Sequence, residues 1–192
     1  MKINTLRQLS SAFAIALIAT TLLVLTGKAG AEESVRQQRF EVFTVGQWTT
    51  TGKISDFRFS ESFVGGLGVG YNFTDHINVN TDVTFSQVNL TSKSTGAKLD
   101  ANHISAHANL DYYVFKSALT PFLTGGLGVD SYDGSQGVTA ISKAELSYKV
   151  GGGLRWDITK HIFAKGLYRI AWADIRKSDA AQTVSLMLGF KF

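Results

Sequence analysis

The sequence predicts an all-β fold: an eight-stranded antiparallel up-and-down barrel that crosses a membrane. Three observations lead there. The chain opens with an export segment, contains no later apolar run long enough for a membrane helix, and alternates apolar and polar residues through to its last residue.

The export segment comes first. Lys2 and Arg7 precede an uncharged, mostly apolar stretch from about residue 12 to 25, which leads to Lys28-Ala29-Gly30-Ala31. A basic start, a short apolar centre and small residues before a cut describe a cleavable signal peptide over residues 1–31. The stretch is shorter than the roughly 20 apolar residues of a spanning helix. Cleavage after Ala31 removes three basic residues and no acidic ones, taking the formal charge from +4 to +1. The basic balance of the whole chain therefore gives no argument for nucleic acid as a partner. Residues 32–192 have the length of one domain, the barrel.

Composition narrows the chemistry. With no cysteine, the chain has neither disulfides nor a thiolate nucleophile or metal site. His76, His103, His107 and His161 are scattered and suggest no metal centre, and no cofactor is expected. An exported chain without membrane helices can enter a bilayer only as a closed barrel, in which every backbone group finds a partner.

The strands follow in order. The first is placed near Phe40 to Trp48, where parity is ambiguous. In the second, Phe63, Leu67, Val69, Tyr71 and Phe73 face one way and Gly66, Gly68, Gly70 and Asn72 the other. Ile77, Val79, Val83 and Phe85 then alternate with Asn78, Asn80, Asp82 and Thr84. The polar link Thr74-Asp75-His76 makes these two a hairpin. The fourth strand sets Ile104, Ala106, Ala108, Leu110, Tyr112 and Val114 against Ser105, His107, Asn109, Asp111 and Tyr113. The fifth runs from Leu123 to Val129 and repeats the Gly-Gly-Leu-Gly-Val of residues 65–69. No helical period follows either copy, so neither is a phosphate loop. Tyr148, Val150, Leu154 and Trp156 mark the sixth strand, and Ala164, Tyr168, Ile170 and Trp172 the seventh. Thr-x-His-Ile occurs at the turns of both hairpins, at Thr74 to Ile77 and at Thr159 to Ile162. In the eighth strand Val184, Leu186, Leu188, Phe190 and Phe192 oppose Thr183, Ser185, Met187, Gly189 and Lys191.

Short connections near 74–76, 115–119 and 158–161 alternate with longer polar ones near 49–61, 87–103, 132–144 and 174–181. Short periplasmic turns and long outer loops give that pattern, which puts both termini in the periplasm and four loops outside the cell. Trp48, Phe85 and Trp172 toward the outside, and Phe73, Phe115, Trp156 and Phe192 toward the periplasm, form the interfacial aromatic girdles.

With the apolar face in lipid, parity sends a charge network into the lumen: Glu41, Asp82, Asp111 and Asp157 against Lys149, Arg155, Lys165, Arg169 and Lys191. A narrow interior requires such near balance, because an unpaired buried charge is costly. Lumenal Gly66, Gly68, Gly151 and Gly153 are expected to make room for the long cationic side chains.

The signal peptide, the Gly-Gly-Leu-Gly-Val strands, Tyr168-Arg169 and the terminal Leu188-Gly189-Phe190-Lys191-Phe192 resemble the small OmpA/OmpX-type outer-membrane barrels, over residues 38–192. The resemblance implies location in the outer membrane of a Gram-negative cell and contact with outer-membrane lipid and lipopolysaccharide. It also implies insertion by the barrel-assembly machinery, with Leu188, Phe190 and Phe192 as the assembly signal, and a monomer. The peptidoglycan-binding domain of full-length OmpA has no counterpart in these residues, so a cell-wall tether does not carry over.

Three functional classes follow. The favoured one is a non-enzymatic barrel with a structural or surface-interaction role through its loops, whose basic residues include Lys53, Arg58, Lys93, Lys98, Arg176 and Lys177. A lipid A deacylase of the PagL type is suggested by His103-Ile104-Ser105. That string has lumenal parity, lacks the following Asn and sits mid-chain, all of which count against it. A narrow solute channel would need the lumenal charges to part, and eight strands leave little room. A soluble β-sandwich has no use for aromatic girdles or a terminal Phe.

Overall fold

A computed structural model describes residues 36–49, 52–54, 57–59, 62–92, 98–136, 139–173 and 180–192. The export segment and its cleavage point lie outside the described residues. Ten strands run in chain order: β1 (Arg39–Thr49), β2 (Gly52–Ile54), β3 (Phe57–Phe59), β4 (Ser62–Asn72), β5 (Ile77–Ser92), β6 (Lys98–Tyr113), β7 (Leu119–Gln136), β8 (Thr139–Asp157), β9 (Ile162–Ala173) and β10 (Ala181–Lys191).

Eight of them, β1 and β4 to β10, each pair antiparallel with their neighbours in sequence, and β1 pairs with β10 to close the wall. Closure is carried to the end of the chain by reciprocal hydrogen bonds between Phe40 and Phe192, each 3.1 Å. A closed ladder leaves no edge to be desolvated in lipid. No helix among the described residues is long and apolar enough to cross a membrane; the crossing is made by strands.

The alternation turns one set of side chains outward. Leu67 and Leu186 are 66% and 67% exposed, while their strand neighbours Val64 and Ser185 are buried. The parity of β1, ambiguous in sequence, is settled by register. Glu41 lies opposite Lys191 and Gly70, so Glu41, Phe43, Val45 and Gln47 point inward and Phe40, Val42 and Trp48 outward.

Two of the expected long connections are mostly strand. β5 continues to Ser92 and β6 begins at Lys98; β7 continues to Gln136 and β8 begins at Thr139. Only 93–97 and 137–138 are left of the stretches expected as loops over 87–103 and 132–144. The ladder persists because its backbone bonds do not depend on side chains, whereas the apolar period that marks a strand in sequence requires one face to lie in lipid. The expected loop 49–61 likewise contains β2 and β3, and β3 pairs with the far end of β5, Phe57 opposite Ser92.

The lumenal glycines serve rings and backbone more than cations. A Cβ on Gly68 would run into the Phe43 ring, and one on Gly189 into the Phe163 ring. Gly153 is crowded by the Gly166 carbonyl and Leu167, and Gly66 by Val83 and Thr84. Of the four glycines expected to accommodate cations, only Gly151 adjoins a cationic side chain, that of Arg169. Phe43, Val45, Tyr113, Phe122, Phe163, Leu167 and Met187 form the apolar part of the interior.

Candidate functional site

The chemistry of the chain is concentrated in the lumen, which is filled from the short-turn end upward. At the base the backbone at Gln38 adopts φ 58°, a left-handed conformation that is uncommon outside glycine. It lies between β1 and Arg36, which is fully buried beneath the barrel. The guanidinium donates to Asp157 Oδ2 (2.8 Å), to the carbonyls of Phe115 (2.6 Å) and Ser117 (3.1 Å), and through Nε to the Asp75 carbonyl (3.1 Å). One side chain thus ties together the turns after β4 and β6 and the end of β8.

Above it Asp157 also accepts from Lys191 Nζ (2.6 Å) and from Arg155 (Nη2 at 2.9 Å). Arg155 continues to Glu41 Oε1 (2.5 Å) and the Tyr113 hydroxyl (2.8 Å) and lies 4.3 Å from the Phe163 ring centroid. Lys165 donates to Asp111 Oδ2 (3.0 Å) and sits 3.8 Å from Glu41. Its ammonium is within 5.8 Å of the ring centroids of Phe43, Tyr113, Phe122 and Phe163. Ring faces carry partial negative charge, so aromatic residues can surround a cation without leaving it unsolvated.

Asparagines carry the network upward. Asn72 and Asn78 donate to Glu41, Asn80 to Asp111, and Asn109 to Asn80 (3.1 Å) and Asp82 (2.7 Å). Arg169 lies 3.9 Å from Asp82 and donates to Gln47 (2.8 Å) and Ser185 (3.3 Å).

Two histidines occupy the upper lumen. His107 Nδ1 is 3.0 Å from Lys149 Nζ and 2.8 Å from Ser105 Oγ, and its Nε2 is 2.6 Å from Ser147 Oγ. An ammonium only donates, so Nδ1 accepts and the proton sits on Nε2. His103 places Nε2 3.0 Å from Asp130 and Nδ1 3.2 Å from Ser86 Oγ, with its ring stacked on Tyr132 at 4.5 Å. His103 and Ser105 therefore bond different partners and do not form a base–nucleophile pair.

The nine charged residues singled out in the sequence are all buried, in two tiers joined by the asparagines. Glu41, Asp111, Arg155, Asp157, Lys165 and Lys191 lie below, with Asp82, Lys149 and Arg169 above. Arg36, Asp75 and Asp130 join them. Among the described residues the buried carboxylates are then Glu41, Asp75, Asp82, Asp111, Asp130 and Asp157, and the buried cations Arg36, Lys149, Arg155, Lys165, Arg169 and Lys191, six of each. Asp130 was legible by parity had the fifth strand been extended past Val129, and the asparagines by their alternation. Arg36 had no periodic signal, because it precedes the first strand.

Little space is left between the tiers. A cavity of about 10 Å³ is lined by Asn80, Asn109, Asp111, Lys165 and Arg169 among others, about the least that one water requires. Asp82 Oδ1, Asn109 Oδ1 and Arg169 Nε, buried atoms with no hydrogen-bond partner among the described residues, belong to this central region.

Outside, Leu188, Phe190 and Phe192 project from the end of the closing strand at 56%, 45% and 60% exposure. On the side formed by β4, β1 and β10 this rim carries a cluster of aromatic contacts, Phe40 with Tyr71 at 4.7 Å, Tyr71 with Phe73 at 4.8 Å and Phe40 with Phe192 at 6.2 Å. Trp48 and Phe85 are exposed toward the other rim.

A closed antiparallel barrel, apolar outside and polar within, defines a transmembrane β-barrel. The chain belongs to the outer membrane protein beta-barrel domain family, whose pattern it matches over residues 17–192, and its location is the cell outer membrane. Among solved structures it is similar to the N-terminal barrel of Pseudomonas aeruginosa OprF, with 16% identity, TM-score 0.58, and coverage of 81% of this chain and 98% of that one. Neisserial surface protein A gives 16%, 0.60, 79% and 95%. Ail of Yersinia pestis, in complex with the heparin analogue sucrose octasulfate, gives 15%, 0.57, 81% and 100%. No curated protein matches the sequence.

Proposed function

We propose that this barrel is a non-enzymatic element of the outer membrane that acts at the cell surface through the four connections opposite its short turns, as a monomer. The observation that carries the proposal is the filled lumen. Glu41, Asp82, Asp111 and Asp157 pair inside it with Arg155, Lys165, Arg169 and Lys191, and His107 fills the space beside Lys149, leaving little room for a solute path or a substrate. The lumenal charge network is then a structural device, and Leu188, Phe190 and Phe192 are the assembly signal read by the insertion machinery. The basic residues Lys53, Arg58, Lys93, Lys98, Arg176 and Lys177 favour anionic partners such as lipopolysaccharide phosphates. Ail, similar in fold, was solved with a polysulfated heparin analogue.

The test compares wild type with a variant in which residues 50–61, 93–97 and 174–179 are replaced by short Gly-Asn turns. Both are expected to show heat-modifiable gel mobility, and external protease on intact cells should cut only the wild-type connections. Retention on immobilised lipopolysaccharide should belong to wild type alone. Stepwise conductance in planar bilayers, or deacylation of lipid A abolished by His103→Ala, would overturn the proposal.

A further inference from the structure

The repeated Thr-x-His-Ile turns adopt one geometry twice. Thr74 Oγ1 accepts from the amides of His76 (3.1 Å) and Ile77 (3.0 Å), and Thr159 Oγ1 from those of His161 (3.1 Å) and Ile162 (2.9 Å). Each histidine then reaches the end of the adjoining strand. His76 Nδ1 meets the Tyr113 carbonyl at 2.7 Å, and His161 Nδ1 meets that of Lys191 at 3.1 Å. The backbone bonds return the other way, Tyr113 N to His76 O at 2.8 Å and Lys191 N to His161 O at 2.6 Å. Each ring stacks on the outward-facing aromatic one residue earlier, His76 on Tyr112 (6.1 Å, 23°) and His161 on Phe190 (5.4 Å, 11°).

A carbonyl only accepts, so Nδ1 must donate in both rings, and in a neutral ring Nε2 is left as a bare acceptor. A backbone staple would be complete with Nδ1 alone. Nε2 has no hydrogen-bond partner among the described residues, and it sits beside the aromatic belt, whose level is that of the lipid headgroups. An exposed lysine lies close to each turn: Lys116, whose ammonium is 3.9 Å from the carboxylate of Asp75, the residue before His76, and Lys160, the residue before His161.

We propose that His76 and His161 form two phospholipid headgroup sites on the short-turn rim. At each, Nε2 accepts a hydrogen bond from the primary ammonium of an ethanolamine headgroup, and the adjacent lysine faces its phosphate. The acceptor at Nε2 selects the headgroup, because a choline headgroup carries no N–H. The two turns follow strands four apart in the ring of eight, so the sites lie on opposite sides of the barrel and hold separate lipids.

The test is nitrogen NMR of histidine-labelled barrel refolded in alkaline buffer. One vesicle preparation combines dioleoylphosphatidylethanolamine with dioleoylphosphatidylglycerol, and the other replaces the first lipid by dioleoylphosphatidylcholine. The Nε2 resonances of His76 and His161 should differ between the two, while those of lumenal His103 and His107 should not. His76→Asn and His161→Asn assign the signals and leave a donor near the position of Nδ1, so the staple and gel shift persist. If either variant fails to fold, sequential backbone assignment replaces it and the wild-type comparison stands. Identical rim resonances in both lipids, or equal movement of all four histidines, would overturn the proposal.

Discussion

Asp157→Asn tests whether charge pairing holds the lumen together. The substitution keeps the shape and removes one charge from a carboxylate that meets Arg36 at 2.8 Å, Arg155 at 2.9 Å and Lys191 at 2.6 Å. Breaking one partner of a buried ion pair costs about 3–5 kcal/mol. Three cations lose their carboxylate here, but the losses are partial. Arg155 keeps Glu41, and Arg36 keeps the carbonyls of Phe115 and Ser117. The total is therefore expected within that range and not at three times it. Adding Lys191→Met restores equal numbers of buried acids and bases and should recover about 0.5–3 kcal/mol, the size of coupling expected between contacting residues. The assay is urea unfolding of vesicle-embedded barrel, followed by tryptophan fluorescence and by unheated gel mobility. A cost below about 1 kcal/mol, the range of an exposed pair, or a second substitution that merely adds to the loss, would refute the reasoning.

Gly68→Ala drives a methyl into the Phe43 ring and should cost about 1–3 kcal/mol. At outward Gly125 a Cβ would meet nothing within 4 Å, so alanine should be tolerated to within about 0.5 kcal/mol; urea midpoints of the two variants check both. Arg36→Ala removes the tie across the base and should cost about 2 kcal/mol, one or two charge-assisted hydrogen bonds net of solvation, read in the same titration. Gln38→Gly relieves the left-handed backbone and should raise stability by up to about 1 kcal/mol, net of glycine's larger chain entropy. Phe192→Ala should lower the amount of barrel recovered from outer membranes in cells, while stability after refolding changes by no more than about 1 kcal/mol.

The wall of the barrel was legible because a bilayer imposes a strict period of two on every residue it touches. That period sends Asp82, Asp111 and Arg169 into the lumen, while Glu41 had to wait for the register of β1. It failed where its cause ends. Beyond the rim occupied by Trp48 and Phe85, β5 to β8 continue as strands after the apolar parity of their lipid-facing part has ended, and below β1 the buried Arg36 belongs to no period at all. Nor does parity choose partners. It lists Lys149 with the cations, but the pairing of its ammonium with His107 depends on which strands face one another across the lumen, which only closure of the ring decides.

The strand extensions bear on how a surface role would work. β7 and β8 run for 18 and 19 residues, and their ladder continues to Gln136 opposite Thr139, well beyond the aromatic belt. Backbone hydrogen bonding there fixes the spacing of whatever the connections carry. Ordering long loops on binding would cost conformational entropy for every residue immobilised. Groups presented on a continuous ladder have already met that cost during folding. The filled lumen below completes the same logic, since paired charges that resist rearrangement hold the eight strands in register and keep the far rim from splaying. A surface role on this scaffold therefore depends on the lumenal pairs even though none of them touches a partner, and the Asp157→Asn barrel should lose surface binding in proportion to its loss of unheated gel mobility.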